Sequence, residues 1–89
     1  MSQSSKSHEL RFSASALRFI QRLHPPLKER IANALLELAC DPKAGKPLKG
    51  ELKGNYSYRV GDWRIIYSLE KTAIYIKDIR HRREVYRRK

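Results

Sequence analysis

The chain has a single cysteine, Cys40, so it can close no internal disulfide and build no multi-cysteine zinc site. A reduced, cytoplasmic protein is the expectation. No apolar run approaches the ~20 residues of a membrane span, and the polar start Met1-Ser2-Gln3-Ser4-Ser5-Lys6 lacks the apolar stretch of a signal peptide. Neither membrane insertion nor export is expected. Acids are scarce: nine Asp and Glu face 20 Lys and Arg, a formal charge of +11. That balance points to an acidic polymer or an acidic protein as partner. The sequence holds neither a Gly-rich phosphate loop with its following Lys-Ser/Thr nor a dinucleotide fingerprint. His8, His24 and His81 are scattered and the acids show no calcium-loop spacing, so no metal and no other cofactor is expected.

What the 89 residues do contain fits one small domain around one modest core. Residues 1–7 are polar and serine-rich and are expected to be a disordered N-terminus, leaving 8–89 as the domain. Leu10 and Phe12 alternate with charged neighbours, which predicts a short strand. Ser13 or Ser15 can cap a first helix, with Leu17, Ile20 and Leu23 lining one face. His24-Pro25-Pro26 breaks it, and Pro26 suits the first turn of a second helix. There Leu27, Ile31, Ala34, Leu35 and Leu38 form an apolar stripe that ends at Asp41-Pro42. A short loop between two such helices predicts an antiparallel hairpin.

Residues 43–54, punctuated by Gly45, Pro47, Gly50 and Gly54, read as a basic connection without a regular element. Beyond them the period changes from 3.6 to 2. Strands are predicted over 56–60, 63–69 and 72–79, joined at Gly61-Asp62 and Glu70-Lys71 as an antiparallel meander. The predicted fold is therefore α+β: two N-terminal helices in a hairpin, packed on a mainly antiparallel four-stranded sheet. Residues 1–42 carry six Lys or Arg against four acids, whereas 43–89 carry fourteen against five. The functional face thus belongs to the connection, the sheet and the tail.

Arg59 and Arg64 flank the Gly61-Asp62 turn on neighbouring predicted strands. A guanidinium is a rigid planar donor fork that holds a phosphate by two hydrogen bonds and keeps its charge. Two of them can clamp a phosphodiester; alternatively Arg59 pairs with Asp62 or only solvates the sheet. The tail, from Arg80 through His81, Arg82, Arg83 and Tyr86 to Arg87 and Arg88, places an imidazole and a phenol among permanent cations. Those are ingredients for holding RNA and moving protons near it, and equally for a basic end packed over the sheet. Lys46, Lys49 and Lys53 in the connection and Arg80, Arg83, Arg87 and Arg88 in the tail are the candidate RNA-binding cations. Trp63 and the tyrosines either stack on bases or belong to the core. Metal-free RNA cleavage would use the 2′-hydroxyl as nucleophile, a base for its proton, cations for the phosphoryl charge and an acid for the leaving oxygen.

The segments Tyr58-Arg59-Val60-Gly61-Asp62-Trp63-Arg64-Ile65-Ile66-Tyr67 and His81-Arg82-Arg83-Glu84-Val85-Tyr86-Arg87 resemble those of the RelE/ParE superfamily of bacterial toxins, the RelE branch most closely. With the two helices and the Leu52-Lys53-Gly54 step, the resemblance runs from about His8 to the C-terminus. It implies a toxin of a type II toxin-antitoxin pair. RelE-like members cut messenger RNA in the ribosomal A site, whereas ParE-like members inhibit DNA gyrase without nuclease activity. It implies as partners the ribosome, its messenger, and a cognate antitoxin that is acidic and partly disordered when free.

Carried over by position, Arg64 resembles the family's transition-state arginine and Arg82 its phosphate-binding arginine. Arg59 takes the place of a strand lysine. Tyr86 resembles the tyrosine that orients or activates the 2′-hydroxyl, and His81 stands where relatives carry histidine or lysine. Ser57 departs from the pattern, because the best-known branch has an active lysine there. Two assignments stay open: Tyr86 as base with His81 as acid, or His81 as base with Tyr86 stacking.

Overall fold

The alternation of apolar and charged residues at the start of the chain gives strand β1 (Glu9–Phe12), with Leu10 and Phe12 turned inward and Glu9 and Arg11 exposed. The computed structural model describes residues 8–82. Residues 1–7, and with them the expected disordered terminus, lie outside that range.

Ser13 caps α1 (Ala14–Gln21): its Oγ accepts from the Ala16 amide at 3.1 Å and donates to the Lys77 carbonyl at 2.7 Å. One hydroxyl therefore satisfies a free helix amide and ties the helix to a distant strand. Ala16 is fully buried, and Phe19, Ile20 and Leu23 pack against the core. Leu17, expected on that inner face, is 45% exposed because the face turns on Ala16 instead. Helix α2 (Pro25–Cys40) opens on its two prolines, where no amide is missed, and buries Ile31, Ala34, Leu35, Leu38 and Ala39 as one stripe.

Four further strands follow: β2 (Lys46–Pro47), β3 (Asn55–Val60), β4 (Trp63–Leu69) and β5 (Ala73–His81). The sheet order is β1-β5-β4-β3-β2, with β1 parallel to β5 and the other neighbours antiparallel. Two expectations need correcting. The sheet has five strands rather than four, because the connection supplies β2, pairing Lys46 with Ser57 and Pro47 with Tyr56. Proline is tolerated there because the strand is an edge. The helices of the expected hairpin contact the sheet more than each other: α1 lies over β5 and β1, and α2 over β1 and β3. Each helix has one apolar stripe, and the sheet uses it.

Tyr67 fixes how the connection enters the sheet. Its ring is fully buried, and its hydroxyl donates to the Pro42 carbonyl at 2.9 Å while accepting from the Gly45 amide at 3.0 Å. A Cβ at position 45 would stand 2.6 Å from that oxygen and 2.9 Å from the Ser57 carbonyl. Gly45 is therefore required by close approach. Gly61, at φ +63°, turns β3 into β4 in a conformation that side chains resist.

The third feature is a bulge in β5. Ile66 pairs with Asp78 but Tyr67 pairs with Ile76, leaving Lys77 as an extra residue. Ile74 and Ile76 face the helices; after the bulge Ile79 does so, while Asp78 and Arg80 turn to the opposite, open face.

Candidate active site on the open sheet face

Residues directly opposite one another in a sheet share a face. Arg59 on β3 opposes Arg64 on β4, and Arg64 opposes Arg80 on β5, so three guanidinium groups form a row across the open face. Directly opposed like charges repel, which makes this row a site that an anion would relieve. The next row is Lys46, Ser57, Ile66 and Asp78.

The turn completes the arrangement. Arg59, Gly61, Asp62, Arg64 and Arg82 line one pocket of about 190 Å³. The Arg82 amide donates to the Asp62 carbonyl at 2.7 Å, which draws the start of the tail against the turn. The Arg82 guanidinium lies 3.8 Å from the Asp62 carboxylate, with both side chains more than half exposed, so this pair adds little stability. Asp62 therefore faces Arg82, and no ion pair to Arg59 or Arg64 occurs among the described residues. Among the described residues, the pocket holds three permanent cations against one carboxylate. Chemically it is a receptor for an oxyanion such as a phosphodiester, with planar forks converging on it.

Of the residues expected to act, Arg59, Arg64 and Arg82 are thus brought together. His81 is not. It pairs with Trp63 across the sheet, and their rings meet edge to face at 4.9 Å, while Trp63 packs against Phe19 of α1 at 5.0 Å. That ring cluster lies on the helix side, away from the arginine row. Tyr86, Arg83, Arg87 and Arg88 lie outside the described residues. Lys46 is exposed on the β2 edge, and Lys49 and Lys53 flank the short 3₁₀ turn Gly50–Leu52 beside it.

The tyrosines considered for base stacking divide between the faces. Tyr56 stacks on Tyr67 at 5.4 Å on the helix side. Tyr58 donates its hydroxyl to Glu37 of α2, and this bond, then burial, raises its pKa. Tyr67 is likewise raised, chiefly by burial. Tyr75 is half-buried opposite Arg11 and Ser68.

Two residues escaped the sequence reading. Asp78 accepts from the Arg80 Nε at 2.7 Å through one carboxylate oxygen and from the Ile79 amide at 2.9 Å through the other. Its place on the open face depends on the bulge, which leaves no mark in the alternation of residues. Arg30 of α2 reaches the turn: its Nη2 is 2.8 Å from where a Cβ on Gly61 would stand. An exposed arginine on a helix carries no signal of that contact. Among the described residues, no three His, Cys, Asp or Glu side chains come together as a metal site. No helix among them is long and apolar enough to cross a membrane.

The family described as "ParE toxin of type II toxin-antitoxin system, parDE" matches residues 10–86. The chain belongs to this toxin family. Within the wider RelE/ParE superfamily its curated relatives carry RelE-type names. Toxin RelG of Mycobacterium tuberculosis is 34% identical over 85 residues, 91% of this chain and 98% of that one. Toxin RelE of the same organism is 35% identical over 69 residues, 71% of this chain and 67% of that one. The toxin-antitoxin complex RelBE2 of M. tuberculosis contains a chain that superposes with a TM-score of 0.76 at 29% identity, covering 84% of this chain and 91% of that chain. The isolated E. coli RelE toxin shares the fold at a TM-score of 0.73 and 23% identity, covering 90% and 92%.

Proposed function

We propose that this toxin is a ribosome-dependent endoribonuclease that cuts messenger RNA in the A site through attack by the substrate's own 2′-hydroxyl. The observation that carries the reading is the pocket in which Arg59, Arg64 and Arg82 converge beside Asp62. The RelE-type names of the curated relatives support it further.

In this mechanism the 2′-oxygen attacks phosphorus and the bond to the 5′-oxygen breaks, leaving a 2′,3′-cyclic phosphate and a 5′-hydroxyl. Arg64 and Arg82 hold the non-bridging oxygens as charge builds on them, and a preformed fork is worth most at that moment because nothing must reorganise. Arg59 keeps the pocket cationic. The proton of the 2′-hydroxyl passes to Tyr86, and the leaving oxygen takes its proton from solvent at the open pocket. A phenol, with a pKa near 10 in water, accepts a proton near neutrality only where cations stabilise its anion, as arginine charges do. We assign the base to Tyr86 rather than His81 because the His81 ring packs on Trp63, on the helix side.

The net charge of +11 supports an acidic antitoxin that folds onto the toxin and neutralises it. A similar chain solved in complex with an antitoxin agrees with such a partner. Action on ribosomes would place the toxin in the cytoplasm.

A second reading follows from the matched family, whose description is that of ParE: inhibition of DNA gyrase with no nuclease chemistry. Mapping 5′ ends after adding the purified toxin to a translation reaction separates the two. New ends inside A-site codons support the nuclease. Intact messenger, with gyrase-dependent DNA breaks in a parallel assay, supports the inhibitor.

A further inference from the structure

Arg30 of α2 comes up to the Gly61–Asp62 turn from the helix side, and Gly61 is also a wall of the guanidinium pocket. A fourth permanent cation therefore stands just across Gly61 from Arg59, Arg64 and Arg82. We propose that Arg30 holds a second phosphodiester of the bound messenger, next to the one in the pocket, where the strand passes over Gly61. The proposal rests on the messenger-cleavage reading and adds to it the path by which the strand leaves the site.

Three observations carry it. First, the approach is close. A Cβ on Gly61 would stand 2.8 Å from the Arg30 Nη2, 3.6 Å from its Cζ and 3.8 Å from its Nη1. Because position 61 has only hydrogen there, no side chain screens the guanidinium from an oxyanion lying over the turn.

Second, the charge is uncompensated. A helical arginine meets acids three or four positions away, and those positions hold Pro26, Leu27, Asn33 and Ala34. Asp62, the carboxylate of the turn, faces Arg82 instead. Among the described residues the Arg30 side chain has no ion pair, and it is exposed. Its planar donor fork is open to a ligand. Like charges gathered at one turn repel, and a second phosphate would relieve that repulsion as the first does.

Third, the strand has a reason to take this direction. RNA carries a charge at every nucleotide, so a phosphate in the pocket brings its neighbour to the rim. On the β5 side the next cation is Arg80, which is already paired with Asp78 at 2.7 Å. Over the turn the next cation is Arg30, which keeps its full charge. Arg30 is a binding residue in this proposal and touches no reacting atom.

The test titrates the full-length toxin at low salt with a three-nucleotide strand of 2′-deoxyuridine, which has two phosphodiesters and no 2′-hydroxyl to react. Either phosphodiester, or both, is replaced by an uncharged methylphosphonate. For wild type, replacing either one is expected to weaken binding several-fold, because two cationic subsites share two phosphates. For Arg30→Gln a single replacement is expected to cost almost nothing, since the remaining phosphate fills the remaining subsite, and only the double replacement weakens binding. Arg30→Lys keeps the charge and is expected to retain the wild-type pattern. If Arg30 only braces the turn, Arg30→Gln weakens binding of every strand alike and the single-replacement penalty persists; that result overturns the proposal, as does a wild type indifferent to single replacement.

A second arm uses programmed ribosomes whose messengers carry one methylphosphonate beside the scissile position. Slower cleavage by wild type with no further slowing in Arg30→Gln assigns the contact to the messenger, and no effect on wild type at either flanking position overturns that assignment. If no messenger is cleaved at all, the nuclease reading fails, and the trinucleotide titration decides Arg30 by itself.

Discussion

Arg64 on β4 and Arg80 on β5 stand directly opposite one another, and they share the open face only because one extra residue, Lys77, interrupts the pairing between Ile66 and Tyr67. Without it, Arg80 would fall on the same side as Ile74 and Ile76, beneath the helices, and the row of guanidinium groups would end at β4. The bulge is anchored from outside the sheet, by the Ser13 hydroxyl that donates to the Lys77 carbonyl.

Ser13→Ala removes both that bond and the helix cap. The expected loss is about 1 kcal/mol, within the range for N-cap removal, read as a lower denaturant midpoint with an unchanged slope. Ser13→Thr keeps a hydroxyl at the same place and is expected to recover most of the loss.

Gly45→Ala is expected to be costly although the residue lies in a connection. A methyl group there would collide with the Tyr67 hydroxyl and the Ser57 carbonyl, at 2.6 and 2.9 Å. Relief requires β2 to move from β3 or the tyrosine to leave its pocket. A destabilisation of about 1–3 kcal/mol, measured by chemical denaturation, is the expected outcome.

The same tyrosine gives the fold an alkaline limit. Burial raises the Tyr67 pKa, so the folded chain holds a proton that the unfolded chain releases near pH 10. The unfolded state then binds fewer protons, and stability must fall as pH rises through that range. Tyr58, raised chiefly by its bond to Glu37, adds in the same direction. Between pH 9 and 11 the thermal midpoint is expected to drop, and Tyr67→Phe should show a shallower drop from a lower starting value. The lower start reflects the Gly45 amide and Pro42 carbonyl left without their partner, about 1–3 kcal/mol.

His81 offers a check on the acid-base assignment. Its ring lies edge-on to Trp63 at 4.9 Å, on the helix side of the sheet. His81→Phe is therefore expected to cleave within a few-fold of wild type at equal ribosome occupancy. A loss of about 100-fold or more in His81→Phe, the scale of a general acid or base, would return the proton-transfer role to the imidazole.

How much of this the sequence carried depends on the kind of interaction. Local rules located both helices, β1 and the meander, because Pro25-Pro26, Asp41-Pro42 and Gly61-Asp62 act on the residues beside them. The pairing of Arg59 with Arg64 was legible too, since a tight turn puts its flanking residues opposite each other. Features set by distant contacts were not legible. β2 pairs with β3 just after a connection that Tyr67 holds at Gly45 and Pro42. The bulge exists in the context of Ser13, 64 positions away from Lys77 in the chain. His81 was grouped with Arg80 and Arg82 by adjacency, but within β5 it faces the opposite way from Arg80. The resemblance supplied the roles of Arg64 and Arg82, which no spacing rule could have provided.

In the proposed mechanism Arg64 stabilises the phosphoryl transition state. Single-turnover cleavage on programmed ribosomes, with occupancy measured in the same samples, tests it most directly for wild type and Arg64→Ala. Cleavage is expected to fall by about 100- to 1,000-fold, the usual scale for losing a donor to developing charge, while ribosome binding changes only a few-fold. Wild-type cleavage by Arg64→Ala at equal occupancy would contradict the account.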